Sequence, residues 1–354
     1  MSGHTTATVS IDQYLSEPLR LGEPTASGPL TIHSVFGPEP GVPYVSLKQA
    51  IERGNLTVKE LPGGASVRDL VVENSGRHNV LVFEGEEVLG AQQNRTFDIS
   101  VLVPSGARLT VPVSCVEAGR WDGRRHRESF AAAPQTADPG MRSDKVRQST
   151  RNRIAGLETR ADQAAVWGRV EERSQTLGVS SPTASMHDVY ESRRARLAEI
   201  TAGIEPCEGQ IGMVAVAGGE IIAFDLISRP EVFEQMFQPL LQGYALDALV
   251  SGNHVEAGES GPNEIDAGQV DEELVARFVE AAGVCRILEG DGIGLGRDFR
   301  FESADLLGAG LVSGDELVQL SVFPAERRGD HDAELRESRQ TRIARPSRRR
   351  GRPA

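Results

Sequence analysis

The stretch EGEEVLGAQQNRTFDISVLVPSGARLTVPVSCVEAGRW, Glu84–Trp121, decides the fold class. Phe97, Ile99, Val101 and Val103 alternate with Asp98, Ser100 and Leu102. After Pro104-Ser105-Gly106-Ala107, Leu109, Val111, Val113 and Cys115 alternate with Arg108, Thr110, Pro112 and Ser114. A period of two on both sides of a Pro/Gly turn predicts two antiparallel strands with one buried face. The loop Ser105-Gly106-Ala107 pairs Pro104 with Arg108 and suits a type I turn closed by a bulge. Both apolar sets face one core, so opposed residues have numbers of even sum. Phe97 is then expected opposite Cys115, and Arg95 opposite Glu117.

Two polar clusters flank this hairpin: Glu84, Glu86, Glu87, Gln92, Gln93, Asn94 and Arg95 before it, and Cys115, Glu117, Arg120 and Trp121 after it. The same parity puts Arg95 and Glu117 on the core side at the open end. A charged pair there is costly unless it is hydrogen-bonded or serves a ligand. Two readings stand: a salt bridge that seals the sheet end, or a site. The Gln-Gln-Asn and Gly-Arg-Trp runs leave the sheet side by side. Gly119 permits a tight backbone that turns Arg120 and Trp121 back over the opening. The expected site is a pocket lined by Glu86, Gln93, Arg95, Glu117 and Arg120, with Trp121 at its rim.

Working outward, residues 1–27 are small and polar and read as a flexible lead-in, with one short helix at Ile11–Leu15. Strands are predicted at Leu30–Phe36, Leu56–Leu61, Ser66–Glu73 and Asn79–Phe83. A helix over Ser46–Arg53 is framed by a Ser46/Gln49 capping box and Gly54. Residues 28–128 therefore form a β-rich layer. Asp122–Asp138 reads as a long surface loop, and long loops in compact units are often functional. The apolar spacing of Val146, Ile154, Leu157, Ala161, Ala164, Trp167, Val170 and Leu177 predicts one helix over Ser143–Leu177, with Trp167 as core packing. A second helix is predicted over Ser185–Ile200, closing a segment of loop plus helices, 129–205.

The segment 206–325 returns to mixed α and β. Ile211–Ala217 and Glu220–Leu226 flank a Gly218-Gly219 hairpin turn, pairing Ala217 with Glu220 and Gly212 with Asp225. Asp225 reads as a cap or ladder partner, with a site role as the alternative. A helix from Pro230 to Gly252 is expected to kink or restart at Pro239. His254–Val270 reads as a flexible loop, Asp271–Ala282 as a helix and Val284–Leu288 as a strand. GDGIGLGRDFRFES places glycines at alternate positions, yet a dinucleotide fingerprint must open a helix, and here a strand follows. It reads as a glycine turn. Ala304–Val312 and Glu316–Phe323 form a last hairpin. The expected fold class is α+β in one unit over 28–325, followed by an Arg-rich disordered tail, 326–354.

The 354 residues carry a net charge of −13, which argues against a nucleic-acid binder, a weak contact through the basic tail apart. The cysteines Cys115, Cys207 and Cys285 are far apart and form neither a zinc knuckle nor a disulfide framework. No apolar run spans a membrane, so the expectation is a cytoplasmic protein. Residues 120–160 hold ten cations against five acids. A basic stripe beside carboxylates suits an anionic small molecule, and a solvated helix face is the alternative. Glu84, Glu86 and Glu87 lack a partner His at a diagnostic spacing, so metal dependence stays open, as does any cofactor. Cys115 shares the parity of core residues and reads as a buried thiol.

GEEVLGAQQNR followed by VPVSCVEAGRW resembles the ARPP domain family, whose name records an association with ADP-ribosylglycohydrolases and rhodanese-phosphatase proteins. Gln163-x-x-Val166-Trp167, AGGEIIAFD and Leu241-x-x-Tyr244-x-x-Asp247-Ala248 are also similar. The resemblance implies a place in pathways that use NAD or process ADP-ribose, with ADP-ribose-processing enzymes as partners. Beside it, the residues supply what an anionic nucleotide-like ligand needs. Gln93, Asn94, Arg95 and Arg120 donate to phosphate or ribose, Trp121 offers a stacking face, and Glu117 and Glu86 are candidate acid/base groups. A sensor or an assembly partner without catalysis is the alternative.

Overall fold

The computed structural model describes residues 10–39, 41–61, 68–119, 129–256 and 272–325. The fold is α+β, with the first third rich in strands as the period-two runs predict. An eight-stranded antiparallel sheet runs in the spatial order β1 (Arg20–Ser27), β2 (Leu30–Phe36), β12 (Gly212–Ala217), β13 (Glu220–Ile227), β17 (Glu316–Pro324), β16 (Leu306–Ser313), β15 (Arg297–Glu302) and β14 (Leu288–Asp291). A six-stranded sheet runs β11 (Phe130–Thr136), β7 (Glu86–Gly90), β8 (Arg95–Phe97), β10 (Arg108–Cys115), β5 (Asp69–Asn74) and β4 (Leu56–Glu60). A small third sheet joins β3 (Tyr44–Ser46), β6 (Asn79–Val82) and β9 (Val101–Val103).

The two smaller sheets close over one apolar core that holds Val58, Val72, Val82, Val88, Phe97 and Val113. The large sheet buries one face under the 3-10 turn Ile11–Tyr14 and α6 (Glu272–Gly283). Its other face lies under α5 (Pro230–Glu256), with α4 (Met186–Ile200) outside that. Between the large sheet and the small core lies α2 (Pro139–Ile154), followed by α3 (Gln163–Thr176). Local signals start these helices. The Ser46 hydroxyl accepts from Gln49 N–H at the head of α1 (Leu47–Glu52). Asp138 caps α2 with Pro139 in its first turn, and Asp162 caps α3.

The central hairpin departs from its expected course. The turn forms, with Ala107 N–H donating to Pro104 O and Gly106 at φ +71°. β10, however, does not run back along β9. Its first residues pair with β5 and its last three with β8, while β9 pairs with β6. The chain changes sheets at Asp98–Ser100, where side-chain bonds replace the ladder. Asp98 accepts from Ser114 Oγ and Ala161 N–H, and Ser100 Oγ accepts from Glu84 N–H. Phe97 therefore faces Val113, and Arg95 faces Cys115 in place of Glu117. The register moves by two residues, so the inward parity survives.

Further differences concern strands and helix ends. Arg20–Ser27, within the expected lead-in, is edge strand β1, and the expected loop before Asp138 contains edge strand β11. The single helix over Ser143–Leu177 is two helices, because Gly156 at φ +70° and the Asp162 cap interrupt it. α5 runs through Pro239 without restarting and ends beyond Gly252. β12 and β13 keep Ala217 opposite Glu220, but a bulge sets Gly212 opposite Leu226 and Met213 opposite Asp225. The strand after α6 lies at Leu288–Asp291 instead of Val284–Leu288. The tail 326–354 and most of the expected loop at His254–Val270 lie outside the described residues.

The glycine run behaves as a turn dictated by close approach. Leu295 N–H donates to Leu102 O, stitching the β14–β15 loop to β9. A Cβ on Gly294 would sit 2.2 Å from Leu102 O. Gly294→Ala is expected to cost about 2–3 kcal/mol, because the clash is with backbone and cannot rotate away. Gly168→Ala, with open space around the added Cβ on α3, is expected to gain up to about 1 kcal/mol. Urea unfolding of the two variants checks this contrast; equal midpoints would refute it.

Candidate functional site

β8 and the end of β10 bring the first predicted residues together. Arg95 lies between Val88 of β7 and Cys115 of β10, on the face that carries Phe97 into the core, and it is fully buried. Its Nη1 donates to Gln93 Oε1 at 3.1 Å, and the Cys115 thiol reaches the same oxygen at 3.0 Å. Glu60 Oε1 stands 3.6 Å from Arg95 Nη2 and balances its charge. Arg95 Nε and Nη2 and Gln93 Nε2 nevertheless have no hydrogen-bond acceptor. Burial pushes the Cys115 thiol up to about 11, against the opposing pull of Arg95, so it is a protonated thiol near neutral pH.

Glu117 leaves the strand and joins this cluster through backbone. Its Oε2 accepts from Asn94 N–H at 3.1 Å and its Oε1 from Thr183 Oγ at 2.9 Å. Asn94 thus contributes its main chain here, while its side-chain oxygen accepts from Gly90 N–H. Gly119 N–H donates to Thr183 O at 2.7 Å. Gln163 fixes the neighbouring helix: its Oε1 accepts from Cys115 N–H at 2.7 Å and its Nε2 donates to Cys115 O at 2.8 Å. One side chain thereby extends the β10 edge and sets where α3 stands. Beside this junction opens a cleft of about 590 Å³ walled by Ala118, Trp167, Ser174, Gln175, Ser180 and Ser181, among others. Trp167, expected in the core, is only half-buried and forms part of that wall.

Glu86 stands apart. It lies on β7 and accepts from Phe83 N–H. Burial pushes Glu86 and Glu87 up to about 8 and Glu84 to about 7. Phe83 N–H opposes this at Glu86, the Gln135 amide at Glu87, and Arg300 at Glu84. Arg120 and Trp121 lie outside the described residues.

Of the stripe's cations, Arg120, Arg124, Arg125 and Arg127 lie outside the described residues, while Arg142, Lys145, Arg153 and Arg160 are paired with acids. The Arg142 guanidinium is bidentate to Asp225 at 2.6 and 2.7 Å, stacked over Phe83 and Phe323. Lys145 Nζ meets Asp98 at 3.3 Å and Phe97 O at 2.6 Å. Arg153 pairs with Asp298, and Arg160 with Glu158 and Asp69. Arg173 holds Asp138 and Asp247 together at 2.7 and 2.8 Å. Arg300, buried on β15, reaches Ser149 Oγ and Asp298. Apart from Glu158 beside Arg160 and Asp298 beside Arg300, these partners are distant in sequence, and none was a predicted site residue except the alternative for Asp225.

The sequence segments that pointed outward to a family have thus each acquired a structural job. The ARPP-1 family, the ARG and Rhodanese-Phosphatase-superfamily-associated Protein domain, matches residues 18–323. The chain belongs to the ARPP-1 family. No curated protein and no solved structure matches it. Within this ARPP-1 fold, QQNR and CVEAG meet at the Arg95–Glu117 cluster, and Gln163 and Trp167 join that cluster to the cleft. Asp225, Tyr244 and Asp247 of the other two segments anchor α2 and α3. Among the described residues, no group of three or more His, Cys, Asp or Glu is arranged to hold a metal ion, and no helix is long and apolar enough to cross a membrane.

Proposed function

We propose that this ARPP-1 protein binds an anionic, nucleotide-like small molecule, with Arg95 and Gln93 receiving its phosphate or carboxylate oxygens. The observation that carries this reading is the set of three buried nitrogens without a hydrogen-bond partner: Arg95 Nε, Gln93 Nε2 and Arg95 Nη2, the last having only Glu60 Oε1 at 3.6 Å as an ionic neighbour. Buried donors are normally paired, and leaving one unmet costs about 1–3 kcal/mol. Oxyanion ligands suit the planar fork of an arginine. The family name supports the choice of ADP-ribose as first ligand and of ADP-ribose-processing enzymes as partners.

Binding is favoured over turnover because both Glu117 oxygens already accept hydrogen bonds, from Asn94 and Thr183. In this reading Glu117 positions the Gln93–Arg95 run and the cleft wall; it does not move a proton. Glu86 is assigned no step. A sensor of the ligand, acting beside the enzymes that process it, is the form of the proposal that these contacts favour.

The test is the melting behaviour of Arg95→Ala with and without ADP-ribose, NAD or inorganic phosphate. Ligand at about a hundred times its Kd stabilises the parent chain by roughly 2.7 kcal/mol. Arg95→Ala is expected to lose under about 1 kcal/mol when free and nearly all of that gain. A loss of about 3–5 kcal/mol in the free protein marks Arg95 as half of a structural ion pair with Glu60, and the reading falls.

A further inference from the structure

We infer that the cleft between α3 and residues 178–184 is a nucleoside subsite, in which the indole of Trp167 stacks on the base. This inference rests on the nucleotide-like ligand proposed above and assigns its uncharged half. The cleft volume, about 590 Å³, lies in the range of small-molecule sites. The wall chemistry selects among ligands. Trp167 supplies an aromatic surface that is half-buried, and its Nε1 has no acceptor. Ser174, Gln175, Ser180 and Ser181 line the same space with hydroxyl and carboxamide groups. Among the described lining residues the only charged one is Glu171. A carboxylate disfavours phosphate and accepts from a sugar diol. The cleft therefore suits a neutral, hydroxyl-bearing ligand with a flat aromatic part, which is a nucleoside.

The position of Trp167 is fixed by the same elements that build the Arg95 cluster. Gln163 locks the first turn of α3 to both backbone groups of Cys115. One turn later, Trp167 faces the cleft that Ala118 walls from the other side. A Cβ on Gly119 would stand 3.0 Å from Thr183 Cα, so glycine lets the two walls approach there. Glu117 Oε1 ties the same Thr183 to the strand end. Through Glu117 the cleft wall and the Gln93–Arg95 run share one brace, so one ligand with an anionic and a nucleoside end has a receptor for each.

The experiment is calorimetric titration of the full chain with adenosine and with ADP-ribose, in the parent and in Trp167→Ala, Trp167→Phe, Ser180→Trp and Arg95→Ala. Ser180 is exposed, so its replacement fills the cleft from outside and guards against a folding defect in Trp167→Ala. Base–aromatic stacking predicts that Trp167→Ala and Ser180→Trp each weaken both ligands at least tenfold, and that Trp167→Phe stays within about threefold of the parent. If ADP-ribose binds all variants equally, the cleft is not the subsite, and the Arg95 reading survives. If adenosine binding depends on Trp167 while Arg95→Ala leaves ADP-ribose affinity unchanged, the subsite holds and the Arg95 reading fails. If neither ligand binds the parent chain, the subsite is refuted together with the nucleotide-like ligand it rests on.

Discussion

Asp225→Ala is expected to unfold at markedly lower urea than the parent chain, with a loss of about 3–5 kcal/mol. The size follows from what converges on this carboxylate. Arg142 donates to it through both Nη atoms, Tyr244 through its hydroxyl at 2.5 Å and Ser321 through its hydroxyl at 2.6 Å. Asp225, Arg142 and Tyr244 are all fully buried. Burial pulls the guanidinium down, but Asp225 beside it outweighs that and leaves Arg142 held well above its ordinary value. Removing the acid strands a cation between the large sheet and the small core, where it can neither shed its proton nor reach water. Arg142→Met alone is expected to cost a similar amount, since it strands the carboxylate. The double variant Arg142→Met/Asp225→Leu is expected to lose much less than the two singles together, because apolar replacement of a whole buried pair is often near neutral. Additive losses in that cycle, or a loss below about 1 kcal/mol for Asp225→Ala, would show that the pair does not clamp α2.

That pair also marks the boundary of what the sequence could tell. The inward parity of Phe97, Val111 and Val113 was legible, and it held even though the strand partners changed. The helix starts at Ser46 and Ser185 were legible because their signals are local, although only Ser46 caps its helix with its side chain. Two strands were missed for one reason: β1 and β11 lie at sheet edges and each carries a proline, Pro24 and Pro134, at an irregularity in the pairing. Prolines are tolerated there and erase the sequence signal. Gly156 and Asp162 announced the break between α2 and α3. An apolar stripe through Ile154 and Leu157 overrode them, yet those two side chains are 70% and 64% exposed.

The candidate site divides in the same way. That Gln93, Arg95 and Glu117 lie near one another was legible because three polar residues at a strand end stand out against an apolar alternation. Their bonds were not legible: Glu117 bonds to Asn94 main chain and to Thr183, which lies in a loop 66 residues away. The charged face of α2, Arg142, Lys145, Ser149 and Arg153, repeats at helical spacing and points inward. Charge normally faces solvent, so this pattern was read as a surface. Only the acids that arrive from β8, β13 and β15 turn it into an interior.

Glu86 and Glu87 predict the second large effect, on pH. Both are buried on β7, and burial holds their carboxyls at about 8 in place of the ordinary 4.5. A carboxyl whose pKa is higher in the folded chain keeps its proton after the unfolded chain has lost one. Its contribution is therefore intact below about pH 4.5 and is lost as pH rises toward about 8. Within that window each group tilts stability downward by up to about 1.4 kcal/mol per pH unit. The bonding around Glu87 agrees with a neutral acid. Gln135 Nε2 donates to Glu87 Oε2 at 2.8 Å, while Glu87 Oε1 and Gln135 Oε1 are both buried without a partner. An unpartnered carboxylate oxygen is costly in this interior, and a proton on Glu87 removes the charge that burial disfavours. A glutamine at this position is uncharged at every pH. Glu87→Gln is thus expected to match the parent near pH 5, to exceed it by several kcal/mol at pH 8.5, and to flatten the fall between. Glu86→Gln should do the same, because burial holds its carboxyl at the same value of about 8. Urea unfolding at half-unit steps from pH 5 to 8.5 reads the slopes directly. Parallel curves for parent and Glu87→Gln would mean that the carboxyl ionises freely in the folded chain, and that the interior beside β7 is wetter than its packing implies.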